Sequence, residues 1–537
     1  MQHHWAKAVW PQLPPELADH IATFLDLATI AWGFRLVNKA VASKFRGPEH
    51  TIIHLSQPVS PPAFAAHWLT PGATGRMTLA RREQLLCLVA ASGVAANLEV
   101  AVRATGCLPT VEVFAAAAIE GQGACCLWLR AQDCPTNERE GGAPRDLLAA
   151  AAGAGQRRIC NWLLTTGLCP WSWQAVGAAL RSGRVGLAEW LLVQSKLCTD
   201  DAWDTLLPHV AHGCGMPALQ SAWQRAFPGR GRGNWEGCGA ATLAAAAGSP
   251  TPDWAAKVEW LEAQGCARSA EALEAAAACA DEADAAARLV WLWGRGYPIG
   301  ELAVMQAVKA GNVTALAFLL DLLPAQLVQA RRFVTVDAAR VGHLPALWAL
   351  INAGWPLASP HAAASEAARG GHLHVVVWLV EWQGAAGVRF EDKNLFAAAA
   401  ESGSVELLAW LRGRGCPWDY RAFTEAAKAG SADALEWLAE QGCPMPGDGR
   451  PYDAACRNGD LATLRCLQRL GLPWGRAGAV ITAAVSSSKR PPAILRWLLQ
   501  AGCPVDFAAA RAAVERWRGL DPRAAEALLA VLQEHEQ

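Results

Sequence analysis

From about residue 80 onward, apolar residues recur at i, i+3, i+4 in short runs that close on glycine. In YRAFTEAAKAG, Phe423, Ala426 and Ala427 keep that spacing and Gly430 ends the segment, which predicts a short helix stopped by a residue that tolerates positive φ. ADALEWLAEQG follows at once, with Leu435 and Leu438 at i, i+3, Trp437 beside them, Gly442 as the stop and Pro444 forbidding continuation. The pattern predicts helix, tight turn, helix, sharp stop. Small Ala on the first helix lets a neighbour approach closely, and Trp or Leu on the second fills the gap between layers.

The unit Trp-Leu followed by Gly-Cys-Pro recurs at Trp128, Trp162, Trp190, Trp260, Trp291, Trp410, Trp437 and Trp497. Looser copies start at Ala101, with Trp223, Phe318, Trp348, Trp378 and Cys466 at the equivalent place, so the step runs from 27 to 37 residues. One hairpin of this size cannot bury its apolar faces alone, whereas a stack of 13 to 14 buries a continuous core. The expected fold is therefore an all-α solenoid over residues 78–505, not three or four separate domains. Residues 506–537 read as capping helices with a polar end.

Composition narrows the function. Hydrophobic residues make up 53% and charged ones only 18%, so the chain is neither disordered nor a solvated tail. With 47 Lys+Arg against 48 Asp+Glu the net charge is -1, and no nucleic acid partner is expected from so balanced a field. Seventeen cysteines are too sparse for a disulfide-stapled scaffold and read as reduced thiols of the cytoplasm or nucleus. No run reaches 18 uninterrupted apolar residues, so no transmembrane segment is expected.

Two stretches resemble known families. GSVELLAWLRGRGCPWD, residues 403–419, resembles the second half of an ankyrin repeat, and Gly342-His343 and Gly371-His372 keep that family's Gly-His pair. The Thr-Pro-Leu-His opening is missing, Cys-Pro-Trp-Asp stands where Ala-Asp-Val-Asn is usual, and the repeat is short between Asp419 and Gly430. The resemblance implies an ankyrin-like helical-hairpin solenoid with shortened β-hairpin fingers, binding a protein partner on its concave face. Arg421, Glu425 and Lys428, off the apolar stripe of a first helix, are the candidate contacts. Ala- and Trp-rich ankyrin chains of green-algal style are sometimes grouped with sphingomyelin-phosphodiesterase-related proteins, so a lipid hydrolase is a remote alternative. No residue of that chemistry carries over.

Residues 1–46 lie outside the repeat. Leu13, Pro14, Glu16, Leu17, Ile21 and Leu25, followed by Leu36-Val37, resemble an F-box. That resemblance implies docking to a Skp-type adaptor and a role as substrate receptor of a cullin-RING ubiquitin ligase. The alternative is a passive scaffold whose N-terminal helices only cap the first repeat. Residues 47–77, rich in Pro and Gly, read as a connector with a short strand at Thr51–Leu55.

Cys198, His209, His212 and Cys214 are ligand types, but their spacing suits no zinc finger or ribbon. Cys107, Cys134, Cys169, Cys266, Cys416, Cys443 and Cys503 share one phase of the repeat and predict one packing niche. Eleven phase-locked tryptophans are expected in the core. Arg225, Arg230 and Arg232 beside Trp235 form one basic loop, and the other paired basics look dispersed. No P-loop, HExxH, GxSxG or kinase-type run is present, so no enzyme, cofactor or metal is expected.

Overall fold

The computed structural model describes residues 15–25, 30–31, 34–37, 39–47, 50, 54–136, 146–195, 203–227, 238–323, 334–357, 359–382, 393–487, 492–519 and 522–536. They fold as an all-helical repeat protein. The described helices from Leu79 to Glu536 form 15 consecutive hairpins, and they divide into two compact units. The first holds residues 1–151 and 156–169, and the second holds 152–155 and 170–537.

In the first unit, Pro15–Ala22, a 3-10 turn at Phe34–Leu36 and Lys39–Lys44 surround a small core of Ala18, Ile30, Phe34, Val41 and Phe45. Helix Pro61–Trp68 and three hairpins follow. Asn97 is buried and its Nδ2 donates to the Val59 carbonyl at 2.8 Å. Arg82, 3% exposed, donates to the Thr105 carbonyl at 2.9 Å and to Cys107 Sγ at 3.2 Å. These side chains satisfy chain ends that a small apolar core would otherwise leave unpaired.

The second unit stacks twelve hairpins. First helices of neighbouring repeats make the more extensive contacts, because their facing positions are Ala, as in Ala363, Ala364, Ala367 and Ala368. Both turns of a repeat use one device. In the repeat of Arg421–Ala429 and Ala432–Glu440, Gly430 takes φ 62° and the Ser431 N–H reaches the Ala426 carbonyl at 3.2 Å. After the second helix, Gly442 takes φ 74° and the Cys443 N–H reaches the Leu438 carbonyl at 2.9 Å. Each is the six-to-one closure of a Schellman cap.

This device corrects the ankyrin reading. Among the described residues there is no β-strand, so fingers, even shortened ones, are not part of the fold. The matching letters were the glycines and leucines that any hairpin closed by two Schellman caps requires. They report helix-end chemistry, not descent.

The F-box reading is corrected on similar grounds. Leu13 and Pro14 lie outside the described residues; Glu16 is exposed and Leu17 is 45% exposed. Ile21 and Leu25 pack against the head's own core. Ile21 and Leu25 stand at the apolar spacing that closes the head's own core. With it fall the Skp-type adaptor and the ubiquitin-ligase role.

Candidate functional site

In five repeats the residue after the first-helix glycine is polar and has one recurring task. Its side chain donates to a carbonyl at the C-terminal end of the preceding repeat's first helix. Gln122 Nε2 meets the Ala91 carbonyl at 3.0 Å, Gln156 Nε2 the Ile119 carbonyl at 2.9 Å, and Ser431 Oγ the Gly403 carbonyl at 3.1 Å. Asn312 Nδ2 serves Ala277 at 3.2 Å and Cys279 at 2.7 Å, and His372 Nε2 lies 3.1 Å from the Arg340 carbonyl. A helix end that lacks intrahelical partners is thereby satisfied by the next repeat.

Two repeats do this with a buried cation. Lys257, 0% exposed, donates to the Ala211 carbonyl at 2.9 Å, Ser249 Oγ at 3.0 Å and Thr251 Oγ1 at 2.7 Å, with Asp253 Oδ1 at 3.5 Å. Burial pushes its pKa down while Asp253 pulls it back up. Arg288 donates to the Ala247 and Ser249 carbonyls at 2.8 Å each, pairs with Asp284 and lies 4.6 Å from the Trp254 ring centroid. A positive charge at a helix C-terminus is also favoured by the peptide dipoles.

Two positions before those same glycines, a file of charge runs along the second unit. In six consecutive hairpins the position holds Lys309, Arg340, Arg369, Glu401, Lys428 and Arg457. One turn earlier stand carboxylates that pair with the cations: Asp337 with Arg340, Glu366 with Arg369, Glu425 with Lys428 and Asp453 with Arg457. The carboxylate side chains are 19–28% exposed and their cations 41–65%. Except at Glu401, which pairs with Arg369 of the preceding repeat at 2.9 Å, the outermost charge of this strip is therefore positive.

Of the three candidate contacts, Glu425 and Lys428 fall in this file and hold each other at 2.8 Å. Arg421 does not. It is pinned at the start of the helix to Asp419 at 3.0 Å and to Asn394 at 2.9 Å. The remaining members of the file went unread because the chain looks charge-balanced residue by residue. Their signal was the fixed offset from the first-helix glycine.

The zinc-type group does not assemble. Cys198 lies outside the described residues, and among the described residues no three His, Cys, Asp or Glu groups converge on a metal position. Burial and the nearby Arg181 hold the His212 pKa down at about 4, and His209 is lowered for the same reasons. The seven phase-locked cysteines are buried at the second turn, where Tyr297 and Trp355 take the same niche in other repeats. Burial raises the thiol pKa, to about 12 for Cys443 and Cys503. Basic-loop residues Arg230, Arg232 and Trp235 lie outside the described residues.

The tryptophans depart from expectation. Of the eleven, nine are half-buried, Trp223 is buried and Trp348 is exposed. In most repeats the indole seat is six residues after the second-helix N-cap, as in Ser404 to Trp410 and Ser431 to Trp437, whereas Trp260 stands seven after Asp253 and Trp291 ten after Asp281. Trp348 stands five residues after His343 and Trp223 eight after Gly215. The seat lies at the rim of the core, and Arg295 and Arg414 stack over Trp291 and Trp410 at 4.6 and 5.0 Å.

No family model matches the chain, and no curated protein matches it. Solved structures similar to it include the maize pentatricopeptide repeat protein PPR10, at 12% identity, TM-score 0.19 and coverage of 100% and 99%. PPR10 in complex with an 18-nt psaJ RNA element gives 13% identity, TM-score 0.24 and 99% coverage of both chains. A cysteine-to-serine variant of that complex gives 12% identity at the same TM-score and coverage. Overlap at this level places no residue of this chain against a residue of those proteins. Ankyrins and F-box proteins are not among these three. The exclusion of nucleic acid is withdrawn, since the near-zero net charge averages over the exposed positive file.

Proposed function

We propose that the chain is a non-catalytic binding protein whose second unit holds an extended polyanion, single-stranded RNA, along the first-helix file. The observation that carries this reading is the file itself: five cations in six consecutive repeats, standing proud of the acids beneath them. Exposed ion pairs of this kind contribute only about 0–1 kcal/mol, so a phosphate competes for the cation at small cost. A single strand can follow side chains set one repeat apart, whereas duplex DNA is stiff over about 150 base pairs.

Fluorescence anisotropy of a labelled single-stranded RNA of mixed sequence tests the proposal. The parent chain should bind with a log–log salt slope of about -3 to -4, as expected for roughly five neutralised phosphates. Reversing Lys309, Arg340, Lys428 and Arg457 to Glu should abolish binding while circular dichroism stays that of the parent. Absence of binding by the parent at low salt, or equal binding by the reversed variant, overturns the reading.

A further inference from the structure

The stacking of repeats leaves one apolar surface uncovered. In six consecutive repeats, from helix Trp254–Gln264 to helix Val405–Gly413, the second helix buries residues i, i+1 and i+4, as with Leu407, Leu408 and Leu411. Residues i+2 and i+5 then lie on the side away from the core. In the four central repeats these two positions open and close the strings VWLW, AFLL, WALI and VWLV, which begin at Val290, Ala317, Trp348 and Val377. All eight residues are apolar and none is buried. Val290, Trp293 and Trp348 are 54%, 43% and 57% exposed, and a contiguous apolar patch of this kind marks an interaction surface. Charge closes the strip at both ends. The repeat before it carries EWLE from Glu259 and the repeat after it AWLR ending at Arg412, with Glu259 and Arg412 both exposed.

Acid at one end, base at the other and apolar residues between make the strip complementary to itself turned end for end. We propose that this face binds a second copy of the chain in a two-fold dimer, its axis between helices Val313–Leu322 and Leu344–Asn352. Three of the six repeats lie on each side of that axis, so Glu259 meets the partner's Arg412 and Trp348 meets the partner's Ala317, large against small. Each contact occurs twice, as an isologous interface requires. Six helices set about 10 Å apart give a strip about 50 Å long and, at two turns' width, about 11 Å across, so two copies together cover on the order of 1,000 Å². That is the size of a weak, exchanging association. The face belongs to second helices, apart from the first-helix file, and stands whether or not RNA binds there.

Sedimentation velocity of the full chain without RNA, over about 1–100 µM, provides the test. A monomer–dimer equilibrium within that range is expected. Trp293→Ser combined with Trp348→Ser, both at exposed positions, should weaken it about tenfold or more while circular dichroism stays that of the parent. Glu259→Arg alone and Arg412→Glu alone each set like charges together twice and should each weaken self-association about tenfold. Mixing these two variants restores both pairs, and their heterodimer should form with parental affinity. A monomer throughout the range, open-ended assembly in place of a dimer, undiminished association of the double tryptophan variant, or no gain on mixing the charge variants overturns the assignment.

Discussion

Lys257→Met removes a buried donor from three acceptors at once and is the sharpest test of how the repeats are joined. The parent side chain is fully buried, and its three N–H bonds are all used, on Ala211, Ser249 and Thr251. Methionine fills much of the volume and abolishes the cost of holding an ammonium away from water, which favours the variant. Against that, the Ala211 carbonyl and two hydroxyl oxygens lose a donor, at about 1–3 kcal/mol for a buried group left unsatisfied. Asp253 also loses its counter-charge, and breaking a buried pair costs about 3–5 kcal/mol. The Asp253 side chain is 33% exposed and keeps the Met216 N–H at 2.8 Å and the Thr251 hydroxyl at 2.6 Å, so the upper end of that range does not apply. A net loss of about 3 kcal/mol is expected, balancing these terms. A stack of repeats does not unfold as one two-state body, so the assay must be local. Hydrogen exchange of the segments covering 203–264 should accelerate by roughly 100-fold, since about 1.4 kcal/mol is a factor of ten. The exposed control Lys309→Met should stay within about 0.5 kcal/mol of the parent. Exchange in Lys257→Met within about threefold of the parent would refute the account, because the apolar gain would then equal the whole network.

Three further outcomes follow from single positions. Asp133 takes φ 51° at the second-helix stop where Gly415, Gly442 and Gly502 stand in other repeats. Asp133→Gly should raise stability of the first unit by about 0.5–1 kcal/mol, read as slower hydrogen exchange of the segments around 123–136; faster exchange would show that Asp133 has a compensating contact. Asn312→Leu leaves the Ala277 and Cys279 carbonyls without their donor and should cost about 1–3 kcal/mol, measured by local hydrogen exchange. His212 has a folded-state pKa of about 4, below the 6.5 of the unfolded chain, so the unfolded state binds more protons between those values. Its contribution is intact above about pH 6.5 and is lost as pH falls toward 4, for roughly 3 kcal/mol in all. Hydrogen-exchange protection of the segments covering 203–264, compared between pH 7.5 and 4.5, should fall in the parent and fall less in His212→Gln.

Much of the fold was legible because its rules are local. Apolar spacing and the two stopping glycines determine where a helix starts and ends, and 27-to-37-residue steps make a stack unavoidable. The same local rules misled the family reading. Leu-Leu-x-x-Leu before Gly is what a capped second helix needs, so its presence in ankyrins and here does not imply a shared finger, and Cys416-Pro417 simply leads into the next first helix. The F-box letters failed in the same way, since Ile21 and Leu25 at helical spacing serve the head's own core.

Side-chain direction was the harder inference. Phase-locked tryptophan implied core, yet the locked phase is a rim position, where the indole covers the layer below and still meets an arginine from its own turn. Trp223 and Trp348 show why letters alone misplace the seat: a one- or two-residue slip on a helix turns a side chain by 100° or 200°, burying one and exposing the other. Counting from the N-cap separates Trp348, five residues on, and Trp223, eight residues on, from the six of most repeats. The same counting from the first-helix glycine turns dispersed charges into the file from Lys309 to Arg457. In this chain, function is read from offsets to the helix stops, because those stops are what the stacking of repeats holds fixed.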